Sequence, residues 1–284
     1  MNGILLVNKE KNMTSRDVVN IVSKELNTKK VGHTGTLDPD ATGVLVLAIG
    51  KCLKIVDEIT SFDKEYEAEI ILGFETDTLD ISGNILSKKE VNVTEKEIDE
   101  VLMSFIGDYK MQVPKYSAIK VNGKKLYEYA RENIDIELPI KDVFVYDLKR
   151  ISSLKDNKFK IKCKVSKGTY IRSLIRDIGY KLNTLATMSD LIRTKQGKFE
   201  LENCYSLDDI KQGNYKLLSM NEVLEIPKIE IKDEVLYNKI KNGNKIENIY
   251  KKEKIAFISN DEILAIYIKD IKNDKILQPK NVFN

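Results

Sequence analysis

The sequence predicts an α+β fold, a mixed β-sheet flanked by helices, followed by a small β-rich C-terminal domain. Two observations predict it. Strand-like runs and helical apolar stripes alternate irregularly over the first 226 residues, unlike the regular alternation of a doubly wound sheet. Near Ile226-Pro227 the texture changes to short alternating runs broken by Asn-Gly and Asn-Asp turns. A chain of 284 residues has room for one large domain and one small one, divided here as 1–226 and 227–284.

The elements follow in order. Residues 3–7 are apolar and read as a short buried strand. Thr14 or Ser15 caps a helix running to about Leu26, with Val18, Val19, Ile21, Val22 and Leu26 inward. Residues 30–43 are polar and glycine-rich and read as an ordered loop. Six apolar residues at 44–49 suit a central strand. Tyr66, Ala68, Ile70 and Leu72 alternate with mostly acidic residues, as in a half-buried strand. Residues 76–83 are acidic and turn-rich. Thr94 and Glu97 form a capping box before a helix that buries Ile98, Val101, Leu102 and Phe105. Strands are expected at 143–148 and 159–165. Thr169 starts a helix with the stripe Ile171, Leu174, Ile175, Ile178 and Leu182. In the C-terminal part, strands are expected at 231–237, 255–258 and 263–268.

Composition removes several classes of function. No apolar run approaches the roughly 20 residues of a membrane span. The N-terminus lacks the basic and apolar regions of a signal peptide, so cytoplasmic residence is expected. Cys52, Cys163 and Cys204 are scattered and form no Cys-x-x-Cys pair, which argues against a disulfide framework or a zinc site. His33 is the single histidine, so no His-pair metal site exists. The net charge of +3 says little about nucleic acid, but its distribution says more. Between Tyr109 and Arg131, six basic residues stand against one acid, with four tyrosines among them. That pattern suits a surface that tracks an RNA backbone. A solvated basic face is the plainer alternative.

Three further segments bear on chemistry. The run Gly32-His33-Thr34-Gly35-Thr36-Leu37-Asp38-Pro39-Asp40-Ala41-Thr42-Gly43 puts a carboxylate on a loop stiffened by proline before a buried strand. Read alone, Asp-Pro with flanking glycines describes a common turn equally well, and neither phosphate-loop spacing is met. Arg172, in Ser166-Lys167-Gly168-Thr169-Tyr170-Ile171-Arg172, falls in the first turn of a helix. A cation there opposes the macrodipole by roughly a few tenths of a kcal/mol. A carboxylate or phosphate partner offsets this, and so does plain solvation. Tyr66 in Lys64-Glu65-Tyr66 lies on the apolar face of its strand and reads by itself as a core tyrosine.

Taken together and in order, these segments resemble the TruB family of tRNA pseudouridine-55 synthases. The likeness rests on Gly-His-Thr-Gly-Thr-Leu-Asp-Pro-x-Ala-x-Gly-Val-Leu, Lys-x-Tyr, Tyr-Ser-Ala-x-Lys, Leu-Tyr-x-x-Ala-Arg and Ser-x-Gly-Thr-Tyr-Ile-Arg. It is strong over residues 3–225 and looser beyond. The resemblance implies the pseudouridine synthase fold, with an RNA-binding insertion at about 107–135 and a PUA-like C-terminal domain. It implies isomerisation of a tRNA T-loop uridine, without metal or cofactor. By that resemblance Asp38 is the catalytic aspartate, Arg172 its partner and Tyr66 the residue stacked on the target base. His33 helps hold the opened T-loop, and Thr36, Lys64, Lys120, Arg131, Lys167 and Tyr170 line the site or contact RNA. The expected partner is the T-arm of tRNA, with no obligatory protein partner and a monomeric chain. Many relatives carry glycine where Asn133 stands here, and asparagine tolerates the left-handed backbone better than most residues. A non-catalytic tRNA-folding chaperone is the alternative, and Asp38 facing Arg172 separates the two. RNA-guided pseudouridine synthases share the catalytic motif but usually bear partner-binding extensions not evident here.

Overall fold

The computed structural model describes residues 1–283. In chain order the first strands are β1 (Gly3–Lys9), β2 (Val31–His33), β3 (Thr42–Ile49), β4 (Lys64–Leu72), β5 (Phe74–Thr76), β6 (Ile85–Lys88) and β7 (Gly107–Gln112). Next come β8 (Lys120–Val121), β9 (Lys124–Lys125), β10 (Ile140–Arg150), β11 (Lys158–Val165), β12 (Ala186–Gln196) and β13 (Phe199–Glu200). The last are β14 (Lys228–Glu230), β15 (Ile246–Glu247), β16 (Lys254–Ser259), β17 (Glu262–Lys269) and β18 (Ile276–Val282). The helices are α1 (Ser15–Glu25), α2 (Val56–Thr60), α3 (Glu95–Met103) and α4 (Leu126–Arg131), then α5 (Ile171–Lys181), α6 (Leu207–Lys211), α7 (Met220–Val223) and α8 (Glu234–Lys241).

The large sheet runs β1-β3-β12-β4-β11-β10-β7, with β2 added to β3 and β13 to β12. Its β3–β12 pair is parallel and the others are antiparallel, so the sheet is mixed as expected. On β4, alternate residues Tyr66, Ala68, Ile70 and Leu72 enter one core with α3 and α5. The Thr94–Glu97 capping box read from the sequence forms, and of the two cap candidates at α1 it is Thr14 that accepts from Asp17 N.

Four local readings change. The loop at 30–43 contains β2, paired with β3 from Val31 to His33. Helix α5 starts at Ile171, not Thr169, whose hydroxyl turns back to donate to Ser166 O at 2.9 Å. The insertion starts after Gln112, because residues 107–112 form the edge strand paired with β10. It carries the β8–β9 hairpin, turned at Asn122 and Gly123 with positive φ, then α4. Asn133 closes α4 at φ 53°, the left-handed conformation expected there. Finally, residues 231–237 are not a strand. Asp233 accepts from Leu236 N and caps α8, whose inward Leu236, Tyr237 and Ile240 have helical spacing.

The second sheet, β14-β16-β17-β18-β15, packs against the first. Ala256, Ile263, Ile266 and Phe283 share an apolar cluster with Ile4, Leu6, Val44 and Val46. Glu58 takes both Lys254 and Lys280 across this junction. Lys51 and Lys54 donate to the Phe283 and Val282 carbonyls.

Candidate active site

The loop between β2 and β3 is held by buried polar groups. The Ser15 hydroxyl, at the start of α1, accepts from Leu37 N at 2.9 Å and donates to Leu37 O at 3.2 Å. Ala41 N donates to Asp38 O at 3.1 Å, which closes the Asp-Pro turn. Lys9, wholly buried at the end of β1, donates to the carbonyls of Glu10, Pro39 and Ala41 at 2.7–2.9 Å. Burial pulls its ammonium down to about 8, against the opposing influence of Asp40 and Asp38. Asp38 therefore sits on a loop pinned on both sides.

Arg172 comes to it from the first turn of α5. Its Nε lies 2.9 Å from Asp38 Oδ2 and one Nη donates to Oδ1 at 3.2 Å, a two-pronged guanidinium–carboxylate contact. The same side chain donates to Thr78 O at 2.9 Å and Tyr116 O at 3.1 Å, with Asp80 Oδ2 at 3.7 Å. The Asp38 loop, the acidic turn and the segment after β7 thus converge on one guanidinium. This is the offset that a cation at a helix N-terminus requires. The Arg172 side chain is 6% exposed and that of Asp38 37%, so the carboxylate keeps an open side.

That side faces a cavity of about 530 Å³ whose wall includes Thr36, Asp38, Lys64, Tyr66, Lys167, Tyr170, Arg172 and Arg193. Tyr66 of β4 pairs with Cys163 of β11 and Arg193 of β12, and Arg193 pairs with Gly43 of β3. Gly43 has φ 103°, and a Cβ there would stand 2.2 Å from Arg193 O, so only glycine fits this crossing. Burial raises the Tyr66 phenol's pKa and keeps it protonated, although Arg193 pulls the other way. The Lys64 ammonium is nearly buried and donates to Thr60 O and Phe62 O at 2.7 and 2.6 Å. Burial lowers it to about 8, helped by Arg193 and Lys167. Tyr170, the N-cap residue of α5, has a pKa raised by burial.

A second cavity of about 610 Å³ adjoins the first through Asp38, Tyr116, Arg172 and Leu191, and Arg131 lies in its wall. The Arg131 guanidinium also sits 5.3 Å from the Tyr127 ring centroid. Lys120 is exposed on the β8–β9 hairpin, outside both walls. His33 ends β2 opposite Leu47 and lines neither cavity. Its Nδ1 is buried without a partner, and burial, with Arg16 and Arg193, lowers its pKa.

The structure adds Lys9, Asp80, Leu191 and Arg193 to the residues singled out in the sequence. Asp80 lay in a stretch legible only as a turn. Lys9 and Arg193 gave no signal, since a single basic residue on a strand reads as solvated.

Family models match the chain in two adjoining parts. Residues 23–171 match the TruB family pseudouridylate synthase N-terminal domain, and residues 172–225 the tRNA pseudouridylate synthase B C-terminal domain. The tRNA pseudouridine synthase B of Caldanaerobacter subterraneus subsp. tengcongensis is 42% identical over 100% of this chain and 99% of its own. The protein of that name from Staphylococcus aureus (strain MSSA476) is also 42% identical, with the same coverage. Among solved structures, a Cbf5-Nop10-Gar1 complex contains a chain with TM-score 0.75 and 25% identity, covering 99% of this chain and 85% of that one. An H/ACA RNP bound to a substrate RNA gives TM-score 0.73 at 23% identity, with the same coverage. A pinned carboxylate held in an arginine fork, on a fold and sequence with these relatives, has one family reading: the chain belongs to the TruB family of pseudouridylate synthases, which are isomerases.

Proposed function

We propose that this protein isomerises uridine 55 in the T-loop of tRNA to pseudouridine. The observation that carries this reading is Asp38, held by Arg172 and open to a cavity walled by Tyr66. RNA binding alone gains nothing from a carboxylate turned towards a polyanion. The names of the relatives support tRNA as the substrate.

The target uridine leaves the folded loop at a cost of roughly a few kcal/mol, and stacking on Tyr66 offsets part of it. Asp38 then acts on the sugar, either by attack at C1′ or by taking the C2′ proton. The C1′–N1 bond breaks, the uracil turns, and C5 bonds to C1′ as Asp38 departs or returns the C2′ proton. The C5 proton is then released and N1 is protonated. Residues 113–139 form the grip on the T-arm, with Lys120 and Arg131 as RNA contacts. Residues 227–284 form a PUA-like domain. His33 supports the opened loop from the end of β2.

The test is tritium release from tRNA transcript labelled at C5 of uridine. Wild type releases label, and Asp38→Asn does not while still binding tRNA. A transcript with cytidine at position 55 gives no release. Release by Asp38→Asn overturns the carboxylate's role. Binding without release by wild type favours the tRNA-folding alternative.

A further inference from the structure

Arg193 has no role in the chemistry described so far, yet it is among the largest fully buried side chains, at 1% exposure. Its Nε donates to Val44 O at 2.6 Å and one Nη to Gly35 O at 3.1 Å. It also lies against the Tyr66 phenol. No ion-pair partner exists for it among the described residues. Lys64, on the same wall, is likewise bound only by carbonyls. Carbonyl dipoles compensate a buried cation only in part. Two cations on one wall leave a positive field directed at whatever enters the cavity. Burial is the main cause of the depressed Lys64 ammonium and Arg193 adds to it, while Arg193 opposes the rise that burial imposes on Tyr66. Gly35 also lines the cavity, and a Cβ there would touch an Arg193 Nη at 3.5 Å.

We propose that Arg193 is a catalytic residue that stabilises the detached uracil as an anion. Its role presupposes the isomerisation proposed above. When the C1′–N1 bond breaks, the bonding pair stays on the base, which leaves as a monoanion with charge shared among N1, O2 and O4. C1′ is satisfied by an electron pair from Asp38, or by loss of the C2′ proton to Asp38. After the base turns, C5 donates a pair to C1′ as the Asp38–C1′ bond breaks or as Asp38 returns the proton to C2′, which neutralises the base. C5 then gives up its proton while N1 takes one. Asp38 and Arg172 form a pair that nearly cancels its own charge. A wall with uncompensated positive charge is therefore the element suited to a transient anion. Asp38, Tyr66 and Arg193 line the same cavity and Tyr66 pairs with Arg193 across the sheet, so a base held on the Tyr66 ring lies in the space they enclose.

The experiment compares RNAs carrying uridine or 5-fluorouridine at the target position. Fluorine at C5 makes the base a better leaving group, so its departure needs less stabilisation. Single-turnover cleavage of the C1′–N1 bond is followed by loss of the starting nucleoside in nuclease digests. Arg193→Lys and Arg193→Gln should slow uridine cleavage by about 100-fold, and 5-fluorouridine cleavage by less than about tenfold. Each ratio is taken within one preparation, so misfolded protein cancels. Equal losses on both substrates would overturn the role and leave Arg193 as a tie between Val44 and Gly35. Undiminished rates would overturn it as well. A wild type inert towards uridine sinks the isomerase reading itself, before any variant is compared.

Discussion

Two buried arginines meet the same cavity in opposite ways. Arg172, at the head of α5, spends its donors on a carboxylate and on two carbonyls from separate loops. Arg193, in the middle of β12, has only carbonyls and a phenol. Burial is nearly complete for both, so solvation does not distinguish them. The difference lies in net local charge. A paired arginine fixes geometry, because its fork sets where the carboxylate points. An unpaired one leaves potential unspent, which is useful only where negative charge arrives and departs.

The largest effect expected is at the paired residue. Arg172→Lys keeps the charge but cannot form the fork or reach Thr78 and Tyr116 together. Its kcat should fall by roughly 100-fold or more with KM little changed, as measured by tritium release under saturating tRNA. If 5-fluorouridine rescues Arg172→Lys as well as it rescues Arg193→Lys, the two arginines share one task and the contrast collapses.

A smaller effect concerns the third buried cation, Lys9. Its pKa falls from 10.5 in the unfolded chain to about 8 in the fold. Between those values the unfolded chain binds more protons than the native one, so stability rises with pH across that window. The charged ammonium is thus a cost of folding near neutrality, relieved above about pH 8. Urea unfolding at stepped pH should show this rise in wild type and a shallower one in Lys9→Met. Lys64 contributes a similar slope and is the reason some of the rise should persist in that variant. Identical slopes in the two proteins would remove Lys9 as a source.

The smallest effect belongs to the exposed charge on the insertion. Lys120→Ala should raise KM by about two- to threefold, leave kcat unchanged and lower the salt dependence of tRNA binding by about one unit. A loss in kcat would mean that the hairpin touches the chemistry.

Much of the frame was legible because it obeys simple periods. The β4 alternation, the Thr94–Glu97 box and the stripe on α5 are local rules locally expressed. Asp38 and Arg172 were legible through the resemblance of their segments taken together; read alone they describe an Asp-Pro turn and a cation in the first turn of a helix. What escaped is β12. Bulges at Met188/Asp190 and Arg193/Lys195 break its alternation, and it buries Thr187, Arg193 and Gln196. A strand that buries polar groups and slips register twice matches neither strand template. The same cause hid Arg193 and Lys9, since burial of a cation is decided by tertiary carbonyls that no short window contains. In the C-terminal part, 231–237 was misjudged because Ile231, Val235 and Tyr237 fall on alternate-residue positions, which outweighed the Asp233 cap.

The position of β12 also sets an order of assembly. It lies between β3, which follows the Asp38 loop, and β4, which bears Tyr66. Both neighbours leave the ribosome long before it does. Until β12 is made, the β1–β3 pair and the β4–β11–β10–β7 ladder are separate pieces, joined by no sheet hydrogen bonds. A nascent chain halted at Leu185 already contains Asp38, Tyr66 and Arg172, yet lacks the strand that joins the two sheet pieces bearing the first two. Catalytic competence therefore arrives as a late, single event in the life of each molecule, when one irregular strand slides between two waiting edges.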